Sequence, residues 1–197
     1  MKSPMRLLLP GQVPRLADWA TRPFSAGTAQ GPADRDLRLL CERVVAREAP
    51  GAPEVGGPHR RVAAAILRYE VFPPRVLRPV LARAPLEVGD TIGARYGLPL
   101  GFAIFFASRA VERFDGLEAG LWRTGFRYRT LDGHPELGEE TFAIDKDVAT
   151  GDVRVSLTSW SRPGLWVTWL AAPALRWVQA RANAAALDHL QVIAAGS

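Results

Sequence analysis

The densest group of ionisable residues in this chain is His134, Glu136, Glu139 and Glu140. An imidazole beside several carboxylates holds the parts for divalent-metal ligation, or for an acid and a base working together. The surroundings argue for something plainer. The group sits on a turn with Gly133, Pro135 and Gly138, and the remaining histidines, His59 and His189, are remote. A loop with one histidine is a poor zinc site, so no metal is expected. In the structural reading Glu139 or Glu140 pairs with a cross-strand arginine such as Arg127, and His134 caps the turn.

A second set lies at Ser159, Ser161 and Arg162. The two hydroxyls continue the apolar face of Val153, Val155 and Leu157 and must find partners in water, backbone or a ligand. No general base stands beside them, so nucleophilic catalysis has no support. Arg162 either holds an anionic ligand head near a helix N-terminus or ties down the strand-to-helix corner through Glu139 or Glu140. The third set is aromatic: Tyr69, Phe102, Phe106, Trp122, Phe126, Tyr128 and Trp160, with Trp169 and its neighbours on the last helix. Rings of this size line a cavity or fill it. Close packing under a small sheet favours a filled core over an open one.

These residues need elements to place them. From Trp122 to Thr130 aromatic and apolar residues alternate with Arg123, Arg127 and Arg129, the period of a half-buried antiparallel strand. Turns at Asp132-Gly133 and Thr150-Gly151-Asp152 join it to strands carrying Phe142 and Ile144, then Val153, Val155 and Leu157. Upstream, Ile66–Phe72, Val88–Leu98 and Phe102–Phe114 read as three further strands, the glycines of Val88–Leu98 marking bulges. Arg75–Ala84 reads as a short helix. Asp34 N-caps an amphipathic helix bearing Leu37, Leu40, Cys41, Val44 and Val45. Met1–Pro32 reads as an irregular arm anchored by Trp19 and Phe24. Trp166, Trp169, Pro173, Trp177, Ala180, Ala184 and Leu187 make one narrow stripe on a long C-terminal helix, kinked at Pro173.

At 197 residues with 48% hydrophobic content, the chain is long enough to bury a core unaided. The lone Cys41 rules out an internal disulfide framework and suits a reducing compartment, so the expected location is cytoplasmic. No run is long enough to span a bilayer. The net charge is +5, but its arginines are scattered over every segment. A nucleic-acid reader concentrates them on one element among stacking aromatics, so no nucleic-acid partner is expected.

The order of strand, short helix, antiparallel meander and long C-terminal helix resembles the helix-grip fold of the START-like and birch-pollen-allergen superfamily. The run G-F-R-Y-R-T-L-D-G-H-P-E-L-G-E-E-T-F at Gly125–Phe142, with S-W-S-R-P at Ser159–Pro163 and the helix containing Gln179, resembles an uncharacterised family of bacteria and plants. That family is catalogued as domain of unknown function nineteen-ninety. The resemblance is strong from about Glu87 to Leu190 and weak before Arg61. It implies an α+β helix-grip fold, a curved antiparallel sheet of about six strands wrapped on the terminal helix; the N-terminal helical extension expected before it rests on the residue pattern alone. The expected organisation is an arm and amphipathic helix over residues 1–60 and a helix-grip domain over 61–197. Superfamily relatives enclose apolar ligands between helix and sheet. The leading expectation is therefore non-catalytic binding of a small hydrophobic or amphipathic ligand, without a cofactor. It would engage Tyr69, Phe106, Trp122, Phe126, Tyr128, Ser159, Ser161, Arg162 and Trp169. Two alternatives stand beside it: an enzyme using His134 and the nearby glutamates for acid–base work, and a protein–protein interaction module. Oligomeric state is left open.

Overall fold

The computed structural model describes residues 6–34, 36–163 and 172–196, with backbone alone for residues 163 and 172–178. Its elements are β1 (Arg6–Leu8), α1 (Ala17–Ala20), β2 (Leu37–Arg47), α2 (Pro58–Leu67), β3 (Leu77–Val80), β4 (Thr91–Gly97) and β5 (Ala103–Glu118). They continue with β6 (Leu121–Thr130), β7 (Glu136–Asp147), β8 (Asp152–Pro163) and α3 (Ala172–Ala195).

The strands form one eight-stranded sheet in the order β2-β8-β7-β6-β5-β4-β3, with β1 paired to the start of β5. All pairings are antiparallel. The β6–β8 meander is the one the alternation indicates, and α3 closes one face of the sheet with α2 beside it. Between helices and sheet lies a core of Val62, Ile66, Tyr69, Phe126, Phe142, Ile144, Val155, Leu157 and Leu190. The opposite face carries a smaller cluster, Leu8, Trp19, Phe105 and Leu131, covered by the N-terminal arm. Trp19 meets the edge of Phe105 at 6.0 Å, and Phe24 bridges to Leu131.

The eight strands correct the expectation of six, and the N-terminal helical extension is absent from the described residues. Residues 37–47 form β2, an edge strand on β8. Leu37, Leu39, Cys41, Arg43 and Val45 turn inward, while Leu40 and Val44 are 62% and 44% exposed. The same residues also fit a helical stripe. The unfilled edge of β8 and the β-branched Val44-Val45 decide for the strand. Arg43, an unpromising inward residue, reaches Asp188 of α3 at 2.6 Å.

Three further expectations are overturned. Residues 58–67 are helical, opened by Pro58 at its first position and burying Val62, Ala63, Ala65 and Ile66 on one face. The apparent strand over Ile66–Phe72 is the end of that helix and a sharp turn. Tyr69 takes a left-handed φ of 55° there, which swings its ring into the core. The predicted helix over 75–84 is the edge strand β3, where Pro79 is tolerated because an edge leaves one side unpaired. Within β4 the glycines make no bulge, since its register with β5 is unbroken. Gly93 instead gives room: a Cβ there would stand 2.7 Å from the Phe105 ring. The irregularities that bend the sheet lie in β5 between Ala110 and Glu112, and in β2 between Val44 and Ala46.

Candidate functional site

Midway along the sheet the interior is solid. Phe126 and Phe142 lie 5.4 Å apart with Tyr69 edge-on to both, and all three are buried. Toward the start of β7 the packing opens into a cavity of about 370 Å³. Its apolar walls come from Phe72, Val76, Leu77, Tyr96, Ile104 and Phe106. One side of it carries Tyr128, Glu136, Glu140, Ser159 and Ser161, and α3 closes it with Gln179, Ala182 and Asn183.

Strand parity builds the polar wall. Glu136 and Glu140 are both even positions of β7, on the face of Phe142 and Ile144, while Glu139 points to the other face. The register sets Glu140 between Tyr128 of β6 and Ser159 of β8. Gly138, between the two glutamates, must be glycine, because a Cβ would sit 2.0 Å from the Trp160 carbonyl oxygen. The Tyr128 hydroxyl donates to Glu140 Oε2 at 2.5 Å, and Gln179 Nε2 donates to Glu136 Oε2 at 2.7 Å.

Burial raises both carboxyls to about 7. For Glu140 the hydrogen bond from Tyr128 opposes that rise, and the neighbouring charge of Glu136 adds to it. Burial likewise holds the Tyr69 and Tyr128 phenols well above their ordinary range. His134 moves the other way, down to about 4, because its buried ring disfavours the cation. Its Nδ1 faces the backbone of Glu136, 2.7 Å from the carbonyl oxygen, and its ring stands edge-on to Phe106 at 4.7 Å. His134 therefore shapes the turn as a neutral ring.

Tyr69, Phe106, Tyr128, Ser159, Ser161, His134, Glu136 and Glu140 come together around the cavity. Glu139 also borders it, but its carboxylate is tied to Arg129 at 2.6 Å and to Arg127 at 3.8 Å. Phe126 fills the solid core. Trp122 stands at the far end of β6, its indole N–H donating to Asp115. Arg162 reaches neither Glu139 nor Glu140; it donates to the Gly27 carbonyl at 2.9 Å and approaches Asp36 at 3.9 Å. It therefore clips the N-terminal arm to the corner. Trp169 lies outside the described residues, as does Trp166, and Trp177 is described by its backbone alone. Gln179 of α3, Tyr96 of β4 and Phe72 after α2 also line the cavity, brought there by long-range docking that local spacing does not encode. Among the described residues, no group of three His, Cys, Asp or Glu is placed to hold a metal ion. Among the same residues, no helix is long and apolar enough to cross a membrane.

A family model described as "Domain of unknown function (DUF1990)" matches residues 38–189. The match thus reaches back to β2, well before Arg61. A UPF0548 protein of Dictyostelium discoideum is 36% identical over 102 residues, 48% of this chain and 47% of that protein. The chain therefore spans about half the length of that curated relative. A solved structure of an uncharacterised protein from Rhizobium leguminosarum aligns with a TM-score of 0.50 at 12% identity, over 83% of this chain and 97% of that one. At that identity the likeness speaks to fold. Ara h 8.0201 aligns at a TM-score of 0.46 and 7% identity, over 82% of this chain and 99% of that one.

Proposed function

The chain belongs to the family of the domain of unknown function DUF1990, and from that premise we propose that it binds one small amphipathic ligand between sheet and α3, without a chemical step. The family name carries no activity, so the reading rests on the site. One observation supports it above the rest: the interior is close-packed around Phe126 and Phe142, yet opens into about 370 Å³ where the polar groups gather. A cavity of mostly apolar walls with a few convergent polar groups is the usual form of a small-molecule site. A single cysteine, Cys41, in no disulfide, supports a cytoplasmic setting.

Ala182 faces the cavity from α3. Ala182→Phe is expected to narrow it enough to exclude a ligand while changing little elsewhere. Native mass spectrometry of the purified wild-type protein should show an added small mass that denaturation releases. The Ala182→Phe protein should lack it at unchanged helical circular dichroism. A ligand retained by that variant would place binding elsewhere.

The second reading, an acid–base enzyme, draws on Glu136 and Glu140, whose pKa values of about 7 suit proton transfer near neutrality. His134, held neutral with Nδ1 against the backbone, contributes orientation rather than a proton. Recovery of the copurified ligand chemically unchanged after prolonged incubation with fresh protein separates simple binding from this alternative.

A further inference from the structure

On the inward face of β7 the cavity carries Glu136 and Glu140, and among the described residues no cation stands beside either. Among the described residues, Glu136 meets only the Gln179 amide and Glu140 only the Tyr128 hydroxyl; neither lies within ion-pair distance of a cation. This differs from the other buried carboxylates, Asp36, Glu48 and Asp145, each of which has a cationic partner. Glu139, between them in sequence, has Arg129 and Arg127 on the other face of the sheet. The fully buried Glu48 has Lys146 at 2.8 Å. An apolar cavity that carries two carboxyls is costly to ionise while empty, and a ligand cation removes that cost.

The remaining surroundings suit the same occupant. Around the two carboxyls stand Tyr128 from β6, Ser159 and Ser161 from β8, Gln179 and Asn183 from α3, Tyr69 after α2, and neutral His134. None supplies a positive charge at neutral pH. The aromatic residues Phe72, Tyr96 and Phe106 also line the cavity, and aromatic ring faces attract organic cations and repel anions.

Resting on the ligand-binding reading above, we infer that the cavity selects a monovalent organic cation, an amine or quaternary ammonium on an apolar body. The charge lodges between Glu136 and Glu140 and the body lies against Phe72, Tyr96 and Phe106. Ionised carboxylates in this partly dry setting attract the cation more strongly than they would in water. Binding is therefore expected to strengthen as pH rises through about 7, where Glu136 and Glu140 lose their protons.

The test uses two probes of the same shape, benzyltrimethylammonium and its uncharged carbon isostere neopentylbenzene, with 3-phenylpropanoate as the anion. Affinities are measured by ligand-observed NMR on the full chain at pH 6 and pH 8. The ammonium is expected to bind roughly tenfold or more tightly than the isostere at pH 8. That preference should shrink at pH 6, and the anion should not bind. In Glu136→Gln/Glu140→Gln the preference should vanish while the isostere binds as before, which also reports that the cavity is intact. Equal binding of both probes to the wild type, or a preference that survives the double substitution, overturns the charge selection and leaves the cavity reading standing. No binding of either probe overturns both.

Discussion

A protein carrying Glu136→Gln and Glu140→Gln is expected to melt well above the wild type at pH 8, and close to it at pH 4.5, when both are free of ligand. In the fold each carboxyl titrates at about 7 instead of near 4.5, chiefly because of burial. A raised carboxyl pKa means the folded state keeps a proton that the unfolded state has given up. Its contribution is fully present below the unfolded value and is lost as pH rises through the folded one. At 1.36 kcal/mol per pKa unit, each carboxyl costs on the order of 3 kcal/mol above pH 7 before any discount. Water reaching the cavity mouth reduces this, so about 3 kcal/mol for the two together is the expectation. For a chain of this length that is about 6–12 °C. Glutamine keeps the acceptor for the Tyr128 hydroxyl and for Gln179, so the shapes match. His134 and His59, both lowered by burial, add stability as pH rises, and this masks the effect in the wild type alone. Comparing the two proteins cancels them. A melting difference that stays flat from pH 4.5 to pH 8 would show that the carboxyls are solvated or paired.

The second large effect lies at the opposite end of the meander. Lys146→Met is expected to cost about 3–5 kcal/mol, a fall of about 6–20 °C in melting temperature. The Lys146 ammonium and the Glu48 carboxylate are both fully buried and 2.8 Å apart. Burial alone would push Glu48 up. Hydrogen bonds from Lys146 and from the backbone N–H groups of His59 and Glu54 outweigh burial and hold it below the usual carboxylate range. Without Lys146 that carboxylate keeps only the two backbone donors, at 2.8 and 3.1 Å. The pair fastens the end of β2 and the start of α2 to β7, and that frame carries the cavity. Adding Glu48→Gln should restore at least half of the loss, because the stranded charge is then gone. Calorimetry of the two variants decides the point. A loss below about 1 kcal/mol for Lys146→Met would mean that solvent reaches the pair.

Alternation made the β6–β8 meander legible, because Phe126, Tyr128, Phe142, Ile144, Val155 and Leu157 keep one face over three strands. It failed where two periods fit the same residues. Leu37, Leu40, Cys41 and Val44 satisfy a helix as well as the inward set of β2 satisfies a strand, and the free edge of β8 decides between them. Ile66–Phe72 alternates only by coincidence, since the helix behind it begins at Pro58 and ends at a left-handed Tyr69 that no pattern of residue types announces. The site was half legible. The parity of Glu136, Glu140, Ser159 and Ser161 places them on one face, and Glu139 on the other. Gln179 and Tyr96 reach that face only through long-range docking, and Arg162 found its partners on the N-terminal arm, which local spacing does not encode.

The most direct test is a fluorescence titration with N-phenyl-1-naphthylamine, an apolar dye that is uncharged at neutral pH and emits strongly when removed from water. The account predicts saturable one-to-one binding with blue-shifted emission, abolished by Ala182→Phe and left unchanged by Leu117→Ala on the exposed tip of β5. Absence of binding, or binding that Ala182→Phe leaves intact, would contradict the claim that ligands lodge between the sheet and its terminal helix.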